Sequence, residues 1–176
     1  MLRGEKVKIR AIEENDLSKI VEWRNSPEIY DLFFGFEPFS EIKQKIWFEK
    51  QLNDHSQKNF IISTMENEPI GMVSLYCIDW RNRKAEFGRF LIGEKKYLHQ
   101  GYGEETLSLI LEYGFKHLNL NRLYLETFST NKRAISLYKK FGFQEEGRLR
   151  KHIFKNGKYQ DVVILGLLKE DYIKGK

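Results

Sequence analysis

The hydrophobic positions of the chain follow two rhythms in turn. Residues 6–12, KVKIRAI, set Val7, Ile9 and Ala11 against charged neighbours at period two, which predicts a half-buried strand. ENDLSKIVEWRNSP then carries Leu17, Ile20, Val21 and Arg24 at helical spacing, with Asn15 as the expected cap and Pro27 beyond the end. FSEIKQKIWFEKQLND repeats that pattern behind Ser40 as cap, and the loop between the two helices, IYDLFFGFEPF, is too rich in aromatics to be an idle linker. NFIISTM, the turn ENEP and IGMVSLYCID predict an antiparallel hairpin. In KAEFGRFLI the rhythm breaks: Ala85 and Phe87 share one parity, Phe90 and Ile92 the other. One extra residue near Gly88 and Arg89, a β-bulge, returns all four to one face. A strand buried on both faces would need no parity at all.

YLHQGYGEETLSLILEYGF places Gly101 and Gly103 at the start of a helix whose face is marked by Leu107, Ile110, Leu111, Gly114 and Leu118 and which runs to about Leu118. Glycine in a helix costs roughly 1 kcal/mol relative to alanine, so the pair implies a need for bare backbone. That need is met either by a tight left-handed turn or by the close approach of a ligand. RLYLETF follows as a short strand, Asn131 caps the helix KRAISLYKKF, and Gly142 ends it. EEGRLRKHIFKNGKYQDVVILGLL closes the chain as two strands joined by a primed turn at Asn156 and Gly157. No repeat or low-complexity linker interrupts this order, which predicts one mixed α/β domain over residues 1–176 with a largely antiparallel sheet.

Composition narrows the class. With 176 residues, 41% hydrophobic and 31% charged, the chain fits a single globular domain. Its one cysteine, Cys77, allows no internal disulfide, and neither end carries an apolar stretch long enough for export or insertion, so a cytoplasmic protein without membrane attachment is expected. A net charge of +5 attracts anions, whether nucleic acid or a phosphorylated small molecule. Acidic residues interrupt nearly every basic cluster, as in EGRLRKHIFKNGKYQD, which counts against a nucleic-acid partner. His55, His99, His117 and His152 fall on separate elements and no Cys-x-x-Cys occurs, so no metal is expected.

What remains is a glycine turn at a helix start, whose unpaired amides and positive dipole end form an anion cradle, with Lys95 and Lys96 close by. Together with the bulged strand, the following strand and the pattern Asn-x-x-Ala-x-x-x-Tyr-x-x-x-Gly-Phe over residues 131–143, it resembles the GNAT superfamily of acetyl-CoA-dependent N-acetyltransferases. The likeness covers almost the whole chain. EWRNSPE and GRLRKHIFKNGKYQDVVILGLL are similar to the branch with ribosomal-protein N-terminal, spermidine and amino-sugar acetyltransferases. The resemblance implies an α+β fold: a mixed, mostly antiparallel twisted sheet with a bulged, splayed central strand and flanking helices.

It also implies a site. The family's diphosphate loop, Arg/Gln-x-x-Gly-x-Gly/Ala, falls on Leu98, His99, Gln100, Gly101, Tyr102 and Gly103, so amides through Glu104 are expected to hold coenzyme A; Leu98 departs from the family's first residue. Phe90, Leu91 and Ile92 would pair with the pantetheine arm like an added strand. Asn131, Lys132, Ala134 and Lys140 belong to the cofactor side, with Asn131 equally a helix cap. Tyr138 matches the acid that protonates the departing thiolate; an aromatic on a buried helix face is the alternative. Glu86 stands where similar enzymes carry a base, against a plain surface carboxylate, with Glu126 in reserve.

The chemistry explains the need for both. An alkylammonium at pH 7 lies about 4–5 kcal/mol from its reactive neutral form, so a base is required. Protonating a thiolate from a phenol is uphill by about 2 kcal/mol in water, so the site must couple the steps. Asp31, Phe34 and Glu37 in the aromatic loop are the expected acceptor contacts. A basic surface repels a polycation at long range, which sets a polyamine behind a protein amino terminus or an amino sugar. A non-catalytic acetyl-CoA sensor and a basic nucleic-acid-binding module are the alternatives of another class. Self-association is left open.

Overall fold

The computed structural model describes residues 2–175; the two terminal residues of the expected 1–176 domain lie outside it. Eight strands form one sheet in the order β1-β2-β3-β4-β5-β6-β8-β7. They are β1 (Leu2–Arg3), β2 (Val7–Ala11), β3 (Lys58–Thr64), β4 (Pro69–Asp79), β5 (Lys84–Ile92), β6 (Arg122–Phe128), β7 (Gln144–Lys155) and β8 (Lys158–Leu168). Only β5 and β6 run parallel. The helices are α1 (Leu17–Asn25), α2 (Pro27–Tyr30), α3 (Glu41–Leu52), α4 (Tyr102–Glu112), α5 (Lys132–Lys140) and α6 (Lys169–Lys174).

Alternation along the strands feeds two cores. Ile62, Val73 and Phe87 pack with Leu107, Ile110 and Leu111 of α4, whereas Ile61, Met72 and Leu91 pack with Ile20 and Trp23 of α1. The bulge decides which core each β5 residue enters. Met72 pairs with Leu91 and Ser74 with Gly88, so Val73 faces two residues, Arg89 and Phe90. Arg89 takes φ +48°, and Phe90 and Ile92 join Ala85 and Phe87 on the α4 side, as their spacing requires.

Local chemistry behaves as expected at several ends. The Lys43 amide donates to the Ser40 hydroxyl at 3.2 Å, and Gly142 ends α5 at φ +90°. Asn156 and Gly157 both have positive φ, as a primed turn demands. One expectation is corrected and two are refined. Asn15 lies inside a 3₁₀ turn, Glu14–Asp16, because Asp16 is held by both terminal nitrogens of Arg10 at 2.7 Å and also accepts from the Glu13 amide at 2.8 Å. Pro27 lies beyond the end of α1, as expected, and also opens the short helix α2, as suits a residue without an amide proton. The helical run reaches Leu118 as expected, but only its first part, to Glu112, is α; Tyr113–His117 is a π turn, which the Leu118 amide closes on the Tyr113 carbonyl.

Candidate active site

Strands β5 and β6 pair only through Lys84, Ala85 and Glu86 against Arg122, Leu123 and Tyr124. Beyond Glu86 they diverge, leaving one side of β5 and one side of β6 without a partner strand. The splay therefore begins at the residue proposed as base.

Three elements converge on this opening. The Cβ that Gly103 lacks would lie 3.5 Å from the Phe90 ring, which places the start of α4 beside β5 just past the bulge. Phe90 stacks edge-on to Phe87 at 5.4 Å, and Phe87 to Tyr138 at 5.8 Å, which brings in α5. Lys140 of α5 donates to Glu104 of α4 at 2.6 Å. Phe90, Gly103, Glu104, Tyr138 and Lys140 thus meet, although they are scattered over fifty residues of sequence.

The cradle is open. Gly101 caps α4 at φ +88°, and among the described residues the amides of His99, Gln100, Gly101, Tyr102, Gly103 and Glu104 donate to no protein group. Gly103 has an ordinary φ and its absent Cβ would meet only normal contact, so the fold itself does not require glycine there. Leu98 is extended and half-buried, offering no polar group. Sequence spacing missed Lys6, whose Nζ donates to the Gln100 carbonyl at 2.9 Å and braces the loop from the β1–β2 turn. Glu105 accepts the Glu5 and Lys6 amides, fastening the same turn beneath α4. Lys95 and Lys96 are paired with Glu28 and Glu68, so neither cation is free for the cradle. Asn131 accepts the Ala134 amide at 3.2 Å and is a helix cap; Lys132 is exposed beside it.

Tyr138 is buried between Phe87 and Phe143, and burial pushes its phenol above the usual range. No protein group hydrogen-bonds its hydroxyl among the described residues. Glu86 is half-buried on the opposite side of β5 and accepts from the Tyr76 hydroxyl at 2.5 Å. Burial raises its pKa above that of an ordinary glutamate; Tyr76 partly offsets this, Glu126 adds repulsion and Arg89 a small attraction. Glu86 is therefore no plain surface carboxylate.

Next to Tyr76 lies a cleft of about 440 Å³ between α1, α3 and the aromatic loop, lined by Arg24, Phe33, Phe34, Trp47, Tyr76 and Arg89 among others. Phe34 and Glu37 reach it, Phe34 leaning edge-on against Phe128 at the end of β6 and Glu37 bound to Lys43 at 2.9 Å. Asp31 does not: its carboxylate accepts from Asn156 at 3.0 Å and lines a separate depression with Pro27 and Pro38. The loop is held by Lys155, a buried ammonium that donates to the carbonyls of Tyr30, Phe33 and Gly35. Sequence reading gave no role in the site to Lys155, Tyr76, Arg24 or Arg89. Two of them left a signal: Arg24 as a cation set in the apolar stripe of α1, and Arg89 as the position of the bulge.

The acetyltransferase (GNAT) domain profile matches residues 9–164. The chain belongs to the GNAT acetyltransferase family. The spermidine N(1)-acetyltransferase of Vibrio cholerae serotype O1 is 33% identical over 94% of this GNAT chain and 94% of its own length. A crystal structure of the spermidine N-acetyltransferase from Vibrio cholerae in complex with CoA and spermine superposes with a TM-score of 0.89 at 32% identity, covering 95% of this chain and 98% of that one. A dodecameric structure of that enzyme in an intermediate state gives 0.83 at 30% identity, with 95% and 96% covered. These findings bear out the expected fold and place this GNAT chain among N-acetyltransferases. Among the described residues no helix is long and apolar enough to cross a membrane.

Proposed function

We propose that this chain moves the acetyl group of acetyl-CoA to a primary amine, which attacks the thioester directly. The observation that carries the proposal is the run of unbonded amides at residues 99–104, set against the edge of β5 where it leaves β6. Those amides and the α4 dipole suit the diphosphate, and the partnerless edge at Phe90, Leu91 and Ile92 suits an amide-bearing arm. Acetyl-CoA, when bound, supplies the activated acyl group.

The residues divide the proton work. Glu86 takes the proton of the incoming ammonium, directly or through water, and its raised pKa makes it a better base than an exposed glutamate. Tyr138 delivers a proton at the thiolate. Because burial makes its phenolate costly, donation has to be concerted with collapse of the tetrahedral intermediate. An amide of β5 near the bulge stabilises the oxyanion. Likeness to spermidine acetyltransferases favours a polyamine as a second reading of the acceptor.

Calorimetry with acetyl-CoA followed by thiol release across an amine panel tests the proposal. Saturable binding and amine-dependent release are expected. Failure to bind acetyl-CoA overturns it, and binding without turnover that is unchanged in Tyr138→Phe points to a sensor.

Self-association belongs to this reading. Ile42 and Ile46 of α3 expose 75% and 46% of their surface, Phe36 of the preceding loop exposes 73%, and a relative is dodecameric. Light scattering should give a mass above 21.1 kDa at micromolar protein; a monomer throughout the concentration range contradicts it.

A further inference from the structure

The cleft beside Glu86 holds two arginines that form no ion pair among the described residues. Arg24 reaches into it from α1, its guanidinium carbon 3.7 Å from the Phe33 ring centroid and 4.5 Å from that of Phe39. Its Nε is buried with no hydrogen-bond partner, and no protein acceptor meets its other nitrogens among the described residues. Arg89 enters from the bulge. One terminal nitrogen donates at 2.8 Å to the neutral amide oxygens of Gln57 and Asn59, and the group lies 4.5 Å from the Tyr76 ring centroid. No carboxylate contacts either group: Glu37 is paired with Lys43, Asp31 accepts from Asn156, Glu86 accepts from Tyr76 and Asp54 from Ser56 and Gln57, so Glu86 and Asp54 attract Arg89 only from a distance. Lys155 behind the loop adds a further cation.

We infer that the acceptor is an amine that also bears an acidic group, carboxylate or phosphate, which Arg24 and Arg89 hold in this cleft. The inference rests on the transferase reading above and names the acceptor class for it. A guanidinium between aromatic rings presents a planar fork of donors, and a carboxylate or phosphate is the acceptor that fits it. Two such groups side by side repel each other until an anion lies between them; burial and this repulsion together push the Arg24 guanidinium down to about 10, still charged at neutral pH. The diphosphate cradle cannot claim these arginines, because it opens at α4 while they lie with Met72 and Tyr76 on the α1 and α3 side of the sheet. Their position sets the amine: Tyr76 lines the cleft and binds Glu86, so an anchored acid leaves the amino group beside the base. A polycation would meet Glu86, but its remaining charges would lie against Arg24 and Arg89.

Two measurements test this on the full chain. Titration of inorganic phosphate and of acetate, followed by the Arg24 side-chain Nε–H resonance, should give a saturable shift larger than at surface arginines. Acetyl transfer is then compared within matched pairs: amino acids against their amides, phosphorylated against unphosphorylated amino sugars, and spermidine alone. The acid-bearing member should win in kcat/KM by roughly 10- to 100-fold in one set, which identifies carboxylate or phosphate. Arg24→Gln should erase the preference while leaving acetyl-CoA affinity intact, and Arg24→Lys, which keeps the charge, should retain part of it. If Arg24→Gln fails to fold, Arg89→Gln serves the same comparison. Absence of a saturable shift at Arg24, spermidine outperforming every acid-bearing amine, or a preference that survives Arg24→Gln overturns the inference while transfer itself stands. A chain that binds acetyl-CoA and phosphate yet acetylates no amine sinks the transferase reading instead.

Discussion

Tyr138→Phe is expected to lower kcat by about 100-fold while acetyl-CoA affinity and melting temperature stay where they are. Burial of the ring against Phe87 and Phe143 is kept by phenylalanine, and the lost hydroxyl bonds no protein group, so the substitution removes little but a proton donor. The same burial keeps the phenol protonated well into the alkaline range, so the native kcat profile should show no descending limb assignable to Tyr138 below pH 10. Steady-state kinetics beside calorimetry decide the matter. Unchanged kcat returns Tyr138 to the core as one more packed aromatic.

Replacing Glu86 by glutamine is expected to reduce kcat/KM by about 100- to 1,000-fold at pH 7 and to abolish the acid limb of the profile. Glu86 accepts a proton only when ionised, and its pKa is raised, so the native limb should fall at a higher pH than an exposed glutamate would give. Tyr76→Phe removes a donor that favours the carboxylate and should move the limb further up, whereas Glu126→Gln removes a repulsion and should move it down. Stability supplies an independent sign. A carboxyl group whose folded pKa is raised supports folding below its unfolded pKa and loses that support as pH rises through the folded value. Glu86→Gln should therefore be the more stable protein at pH 7, with the advantage vanishing below about pH 4. An activity loss accompanied by lower stability at pH 7 would mean that packing, not the base, had been removed.

Features set by neighbours along the chain were open to reading. The bulge near Arg89 followed from four side chains whose parity disagreed, the primed turn from Asn156 and Gly157, the left-handed terminator from Gly142 and the cap from Asn131. The divergence of β5 from β6, by contrast, followed only from likeness to a family, since no local period announces where two strands stop pairing. Asp31 was misplaced among acceptor contacts because its partner, Asn156, is 125 residues away. The cap on α1 was lost to Arg10, which claims Asp16 from the neighbouring strand.

By itself, then, the order of residues determined the longer strands and helices, though not β1, α2 or α6, together with the two faces of the sheet and the glycine-opened start of α4, because side-chain period and backbone preference act over a few bonds. The tertiary structure alone decided that the loop amides stay unbonded, that Glu86 is held by Tyr76, and that Arg24 and Arg89 face one cleft with no ion pair to either. Charge compensation and desolvation depend on which distant groups arrive within a few ångströms of one another, and that distance is fixed only when the sheet and its helices close.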